Sequence, residues 1–402
     1  MSVAIIGAGA SGLVCAIEIK RLNREIPVTL YEANPRVGKK ILATGNGRCN
    51  LTNMSAHKQG YRNMGFARYA LEAFTPQSNI EFFNSLGLFT REDGCGRVYP
   101  LSNQASGVLD VLRLAAEREG VNIVTDCHVD NAQHGKDGFY VCGRVYDNLV
   151  LATGGKAAPS QGSDGSGYKL LKQLGHKVTV LAPSLVQLET ENRQYPKQLK
   201  GVRCECEMSL VTDGRLTVQK KGELLFADYG LSGIVSMEMS AYISPHLAKG
   251  GSKPTVYIDF VTSMTREVML ENIKSLDGNM RIEDILSGFM PRKIAQVIIK
   301  EVKINSQDKL SQIKHNKLKE LVSVCKGFGF TVTGTKGYDF AQVTSGGADT
   351  KEFDRETMQS KKVRGLYCIG ELLDVDGDCG GYNLNWAWSS GRLAAKSITE
   401  QK

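Results

Sequence analysis

The chain has 402 residues, of which 42% are hydrophobic and 23% charged, with a formal charge of +8. That length suits two or three domains rather than one simple core, and the composition excludes long disordered tracts. No apolar run nears the roughly 18 residues needed to span a bilayer, and the interleaving of acidic and basic residues argues for a mildly basic surface and against nucleic acid as a partner.

The first strand is read as starting almost at residue one, so no targeting peptide is expected. The ten cysteines show no C-x-x-C spacing, so neither a zinc site nor a thioredoxin-like dithiol is signalled. Free thiols in a reducing cytoplasm are the expectation.

Residues 2–6 are a short apolar run, as in a buried parallel strand. A glycine turn over 7–12 follows. Leu13, Ala16, Ile17 and Leu22 then recur at helical spacing, and 28–32 reads as a second strand, completing a βαβ unit. Residues 34–53 are glycine-rich and basic and read as a loop. Residues 66–86 look helical, 109–119 form an amphipathic helix, and 121–124 form a strand. A hairpin over 128–145 leads into a buried strand at 148–152.

From about 184, alternating stretches joined by Asp213-Gly214 indicate antiparallel β structure. From 262 to 325 the pattern turns to polar helices, with a break at Met290-Pro291-Arg292. Strand character resumes at 340–343, 364–369 is a buried strand, and 385–398 is a terminal helix.

Gly7-Ala8-Gly9-Ala10-Ser11-Gly12 is a G-x-G-x-x-G between a strand and a helix, with Glu32 twenty residues past Gly12 at the end of the second strand. Gly7 allows the tight turn, Gly9 lets the backbone approach a pyrophosphate, and Gly12 lets helix and strand pack closely. The helix start, at Ala10 and Ser11, offers N–H groups and a partial positive charge to phosphates. Glu32 suits a ribose diol.

NAD would use the same fingerprint, but two further segments choose FAD. In Ala152-Thr153-Gly154-Gly155 a buried strand ends in a turn beside the nucleotide. In Cys368-Ile369-Gly370-Glu371 and the following Gly380-Gly381-Tyr382-Asn383, a carboxylate can face ribityl hydroxyls. Two glycines there can bring amides to a flavin ring. The next helix points its positive end at that ring, with Asn383 or Asn385 as cap and Trp386, Trp388, Leu393 and Ala394 as its apolar face.

The segment GKKILATGNGRCNLTN, with Lys39, Lys40, Asn46, Gly47, Arg48, Cys49 and Asn50, would wrap the pyrophosphate and reach the flavin; a mobile basic surface loop is the other reading. Arg48, Cys49 and Tyr382 are the candidate catalytic residues, with no acid or base singled out. Residues 162–168 read either as a second loop at the cofactor or hinge, or as a plain helix-capping turn. The six histidines show no metal spacing and no G-x-S-x-G occurs, so neither a metal nor hydrolase chemistry is expected.

These motifs, with Tyr229-Gly230-Leu231-Ser232-Gly233 and Ala341-Gln342-Val343-Thr344-Ser345-Gly346-Gly347, resemble the BaiN-like, aminoacetone-oxidase-like family of bacterial FAD-binding flavoproteins over nearly the whole chain. The resemblance implies an α/β fold: a discontinuous Rossmann-like FAD-binding domain with an inserted β-barrel-like domain and an inserted helical domain. The expected boundaries are 1–183 and 341–402 for the FAD-binding domain, 184–261 with a return at 328–340 for the β-rich insert, and 262–327 for the helical one. It implies FAD contacts at Gly7, Gly9, Ser11, Gly12, Glu32, Lys40, residues 46–50, Gly154, Gly155, Gly370, Glu371, Gly381 and Asn383, with Val129 holding the adenine through its backbone. The family commonly shows GSTGDGY where this chain has GSDGSGY, which displaces the acid of that loop.

The expected function is an oxidoreductase with non-covalent FAD that passes a hydride between flavin N5 and a small organic substrate. One form of it reduces an unsaturated ketone with NAD(P)H, which would lie in an open cleft rather than on its own domain. The alternatives are an oxidase of a small amine such as aminoacetone using dioxygen, and a flavin-binding redox sensor or RNA-associated protein. The oligomeric state is not legible.

Overall fold

In the computed structural model, which describes residues 1–401, β1 (Val3–Ile6) runs into α1 (Ala10–Leu22) and β2 (Val28–Tyr31). Every residue of both strands is buried, which is why neither alternates between a core face and a solvent face. The glycine-rich segment that follows is a 3-10 stretch over Lys39–Gly47. Next come β3 (Thr52–Asn53), α2 (Met64–Ala73) and α3 (Pro76–Ser85). The single helix expected over 66–86 is therefore two. Pro76 cannot continue α2; it opens α3 instead, behind Thr75, whose hydroxyl accepts from the Ser78 N–H.

The chain continues through β4 (Thr90–Glu92), β5 (Arg97–Pro100), α4 (Ala105–Arg118) and β6 (Asn122–Val124). The expected hairpin is a three-stranded meander of β7 (Gln133–Gly135), β8 (Gly138–Val141) and β9 (Arg144–Tyr146). Then follow β10 (Asn148–Leu151), α5 (Ser166–Gln173) and β11 (Ala182–Ser184).

Two compact units make up the chain: Met1–Pro183 with Tyr338–Lys402, and Ser184–Gly337. The second is a closed barrel in the order β12-β15-β14-β13-β16-β17. Its strands are β12 (Leu188–Thr190), β13 (Arg203–Thr212), β14 (Arg215–Ala227), β15 (Gly230–Ser232), β16 (Thr255–Asp259) and β17 (Phe328–Thr335). Asp213 and Gly214, at φ 49° and 74°, make the tight turn between β13 and β14. α6 (Gln194–Gln198) and α7 (Ile234–Ala248) lie within the barrel connections, and α8 (Arg266–Lys274), α9 (Ile282–Ser287), α10 (Arg292–Glu301) and α11 (His315–Cys325) all fall between β16 and β17. Barrel residues such as Leu188, Phe226 and Ile258 share one apolar core with helical residues such as Ile285, Ile298 and Leu321.

In the first unit the chain returns as β18 (Val343–Ser345), β19 (Leu366–Cys368) and α12 (Tyr382–Thr399). The central sheet has the order β19-β10-β1-β2-β6, and all its pairings are parallel. β1 is flanked by β2 on one side and β10 on the other, so the strand order reverses there. The carboxyl ends beside such a point form the usual ligand crevice of a parallel sheet. α12 crosses α1 at close range: a Cβ on Gly391 would sit 2.7 Å from the Ser11 carbonyl oxygen. No helix among the described residues is long and apolar enough to cross a membrane.

Candidate cofactor site

The glycine turns gather at the carboxyl ends of β1, β10 and β19. Gly7, at φ 104°, turns the chain out of β1, and a Cβ there would come within 2.5 Å of the Ala152 oxygen. A Cβ on Gly12 would collide with the Gly7 carbonyl oxygen. Gly9 differs: nothing lies within 4 Å of where its Cβ would be. It is also the N-cap of α1, and no side chain caps that helix start. Two glycines thus hold backbone against backbone, and the third leaves space in front of uncapped N–H groups, which suits a phosphate.

Glu32 is oriented by the protein itself. One carboxylate oxygen accepts from the Ala8 N–H at 3.0 Å; the other accepts from the backbone N–H and side-chain amide of Asn34, at 2.9 and 2.7 Å. Asn34 carries no motif and was not expected at the site.

Glu371 is held in the same way. One oxygen pairs with Lys40 Nζ at 2.9 Å, and the other accepts from the Thr344 N–H at 2.8 Å. The Thr344 hydroxyl accepts from the Lys156 and Ala157 N–H groups, at 2.7 and 3.0 Å. Gly155 closes this cluster, since a Cβ there would collide with the Thr344 hydroxyl and lie 2.7 Å from Glu371. Gly370, at φ 67°, lies against Ser11; its N–H donates to Ser390 Oγ at 3.0 Å and its carbonyl accepts from Trp386 Nε1 at 2.9 Å. α12 thereby anchors the turn that carries Glu371.

The 3-10 stretch ends in a left-handed run, with positive φ at Gly45, Asn46, Gly47 and Cys49. This coiling brings Asn50 beside Gly381, whose Cβ would lie 2.8 Å from Asn50 Oδ1 and 2.5 Å from the Thr52 oxygen. Asn50 Oδ1 is buried with no hydrogen-bond partner, as are Asn385 Nδ2, Ser163 Oγ and Tyr168 OH. A buried polar atom left unpaired costs about 1–3 kcal/mol. Asn50 lies against the glycine pair and Ser163 beside Gly154, where a polar ligand would satisfy them.

Neither asparagine caps α12. Gly381 is the N-cap, at φ 103°, and no side chain caps this helix either. Asn383 turns back to pin Gly377, accepting from its N–H at 2.8 Å and donating to its oxygen at 2.9 Å. Asn385 is buried and accepts from Thr52 Oγ1 and Asn79 Nδ2. The asparagines that propensity places at the cap are used for tertiary contacts, and no side chain hydrogen-bonds to cap the helix start.

Cys49 is buried, and that burial pushes its thiol up to about 12. The Arg48 guanidinium lies 4.9 Å over the Tyr99 ring. Arg97, two residues earlier on β5 and so on the same face, has Nε 3.5 Å from the position of a Gly380 Cβ. The Tyr382 ring packs edge-on against Tyr61 at 5.5 Å. Lys39, Asn46 and Gly47 are exposed, Ala10 is half-buried in the first turn of α1, and Val129 is buried in the core of the first unit. In the 162–168 segment, Asp164 accepts from the Ser166 N–H at 2.9 Å just before α5, whose N-cap is Gly165, while Ser163 lies beside Gly154.

The family described as HI0933-like protein Rossmann domain matches residues 1–397. The chain belongs to the HI0933-like family. It is 38% identical to a 3-dehydro-bile acid delta(4,6)-reductase of Clostridium scindens, covering 99% of each chain. It is 31% and 30% identical to the ribosomal RNA dihydrouridine synthases of Haemophilus influenzae and Escherichia coli, each over 99% of this chain and 98% of the other.

Proposed function

We propose that this HI0933-like protein binds FAD without a covalent link and reduces a carbon–carbon double bond conjugated to a carbonyl in a small organic molecule, with NAD(P)H as electron source. What carries this reading is the 38% identity, along 99% of both chains, to an enzyme named for reducing the 4,6 double bonds of a 3-keto bile acid. A second reading rests on the two synthases: the bond reduced to make dihydrouridine is likewise conjugated to a ring carbonyl, so an RNA base would present the same reacting group.

The residues fit the roles that such a reaction needs. The space at Gly9 and the start of α1 would take the pyrophosphate, and the pre-oriented Glu32 the ribose. Glu371, set by Lys40 and Thr344, would face the ribityl chain. FAD, when bound, supplies hydride exchange at N5. The uncapped start of α12, with about half a positive charge, would favour negative charge at the ring edge that reaches it. Asn50 Oδ1, a buried acceptor without a partner, would take a hydrogen bond from an N–H or O–H of the cofactor, and a side chain at Gly381 would collide with it. Arg97, near Gly380, would polarise a substrate carbonyl. With one dinucleotide fingerprint in the chain, taken up by FAD, NAD(P)H would bind in the open and be used with little preference between its two forms.

The test is anaerobic. Protein reduced by NADPH or NADH is mixed with a conjugated steroid ketone, its saturated analogue, a uridine-containing RNA, or dioxygen, and flavin reoxidation is followed. Fast reoxidation by the conjugated ketone alone is the expected result. Reoxidation by the RNA instead supports the second reading. Rapid reoxidation by dioxygen with stoichiometric hydrogen peroxide, and none by the ketone, overturns both in favour of an oxidase.

A further inference from the structure

Cys127 and Cys142 stand fifteen residues apart in sequence, yet their sulfurs are 3.4 Å apart. No spacing motif marks them, because the contact is made by folding. Cys142 occupies the tight turn between β8 and β9 together with Gly143; both have positive φ, 47° and 74°, so the turn is pinned by its own geometry. Cys127 is pinned from the other side, its N–H donating to the Glu32 oxygen at 2.9 Å. Below them Tyr31 OH and Tyr146 OH meet at 2.8 Å and join β9 to the end of β2. The pair therefore links the β8–β9 turn to the backbone of the acid that closes the dinucleotide fingerprint. Cys142 is exposed and Cys127 half-buried, so a small reagent reaches the pair from solvent. Burial and the neighbouring sulfhydryl push the Cys142 thiol up to about 11, so thiolate exchange at Cys142 quickens as pH rises towards that value.

We propose that Cys127 and Cys142 form a reversible dithiol–disulfide site at the adenosine end of the first unit, oxidised by low-molecular-weight disulfides. One cysteine, as thiolate, attacks a sulfur of the small disulfide RSSR, forming a mixed disulfide and releasing RS⁻, which takes up the proton the cysteine gave up. The second cysteine attacks the protein sulfur of that mixed disulfide and displaces the second RSH. The protein loses two hydrogens and RSSR becomes two RSH, so atoms and electrons balance. A disulfide has sulfurs about 2.05 Å apart, so closure needs an approach of only about 1.4 Å. Both anchors are turn or loop backbone, which can supply it. The product would tether the loop after β6, which leads to Val129, and so restrict the segment expected to lie along the adenine. The bond-forming claim does not depend on which cofactor binds.

The test treats the FAD-loaded protein with glutathione disulfide, blocks free thiols by alkylation, and maps peptides by mass. A linked 127–142 peptide that thiol reductant reverses is expected. Cys95, exposed and without a cysteine in contact, serves as the internal reference and should carry glutathione only. In C127S, glutathione should stay on Cys142. Two results overturn the proposal: 127 and 142 both alkylated while Cys95 is glutathionylated, or a persistent glutathione adduct on Cys142 in the wild-type chain. Amide hydrogen exchange across 126–130 should slow several-fold in the oxidised protein; an unchanged rate would overturn the tethering.

Discussion

Replacing Gly9 by valine separates what the fingerprint does for the fold from what it does for a ligand. At Gly9 φ is −82° and ψ −162°, an extended conformation open to any residue. Nothing lies within 4 Å of the new Cβ, so no packing is disturbed. Removing a glycine stiffens the unfolded chain and favours folding by about 0.4–1 kcal/mol. Losing glycine at an N-cap for a residue that caps poorly costs roughly as much. The two effects nearly cancel, so apoprotein stability in urea should stay within about 1 kcal/mol of wild type. The valine methyls, however, fill the space in front of the α1 N–H groups. FAD titration of the apoprotein, read by flavin fluorescence, should show at least a tenfold weaker Kd, or about 1.4 kcal/mol. An unchanged Kd would remove the pyrophosphate from this turn. An apoprotein that no longer folds would mean that the space is not free.

Gly12→Ala should behave oppositely, since its Cβ meets the Gly7 carbonyl: stability should fall by about 1–3 kcal/mol with or without FAD, and a loss confined to the FAD-loaded protein would contradict the packing role. Arg62 pairs with Asp376 at 2.6 Å, and Asp376 is 1% exposed, so Arg62→Ala strips a buried carboxylate of a close cation; a cost of about 3–5 kcal/mol is expected in urea, against well under 1 kcal/mol if water can replace the arginine. Although burial alone would raise it, Glu352 titrates at about 2, held down by Lys362, the Lys177 N–H and His176. A carboxyl lowered in this way contributes stability above its unfolded pKa near 4.5 and loses it as pH falls towards 2, so wild type should lose about 1–3 kcal/mol more than Glu352→Gln across that window. Equal acid sensitivity of the two would assign the loss to other carboxylates. Burial lowers the His176 pKa despite the opposing pull of Glu352, so His176 also loses stability as pH falls, beginning below its ordinary value of 6.5.

The fold class was legible wherever a local pattern reports backbone conformation. Apolar runs at residues 2–6 and 148–152 mark strands covered on both faces, and glycine spacing marks the turn into α1. Local patterns said less about punctuation. Pro76 divides a stretch whose apolar spacing runs through it, and a meander and a hairpin share the same alternation over 128–145. Least legible were side-chain pairings between distant segments. Asn34 beside Glu32, Thr344 beside Glu371 and Arg97 beside Gly380 obey no spacing rule, because tertiary folding sets those distances. The α12 cap failed for a related reason: propensity ranks asparagine highly at helix starts, but Asn383 and Asn385 find partners at Gly377, Thr52 and Asn79 that a helix cap cannot match.

The strand order of the central sheet also bears on how the chain is made. β10 takes its second neighbour from β19, which is synthesised 215 residues later, counting from Leu151 to Leu366. At about 5–20 residues per second, translation takes roughly 10–40 s to close that gap. During that interval β10 is an apolar strand with an open edge, a form prone to pairing with other chains. Glu371, Gly380, Gly381 and α12 emerge later still, so a nascent chain can carry the turn proposed for the pyrophosphate before it has the segments proposed for the flavin ring. On that proposal cofactor loading belongs to the end of synthesis or after it, and a ribosome that stalls before β19 leaves a product suited to aggregation.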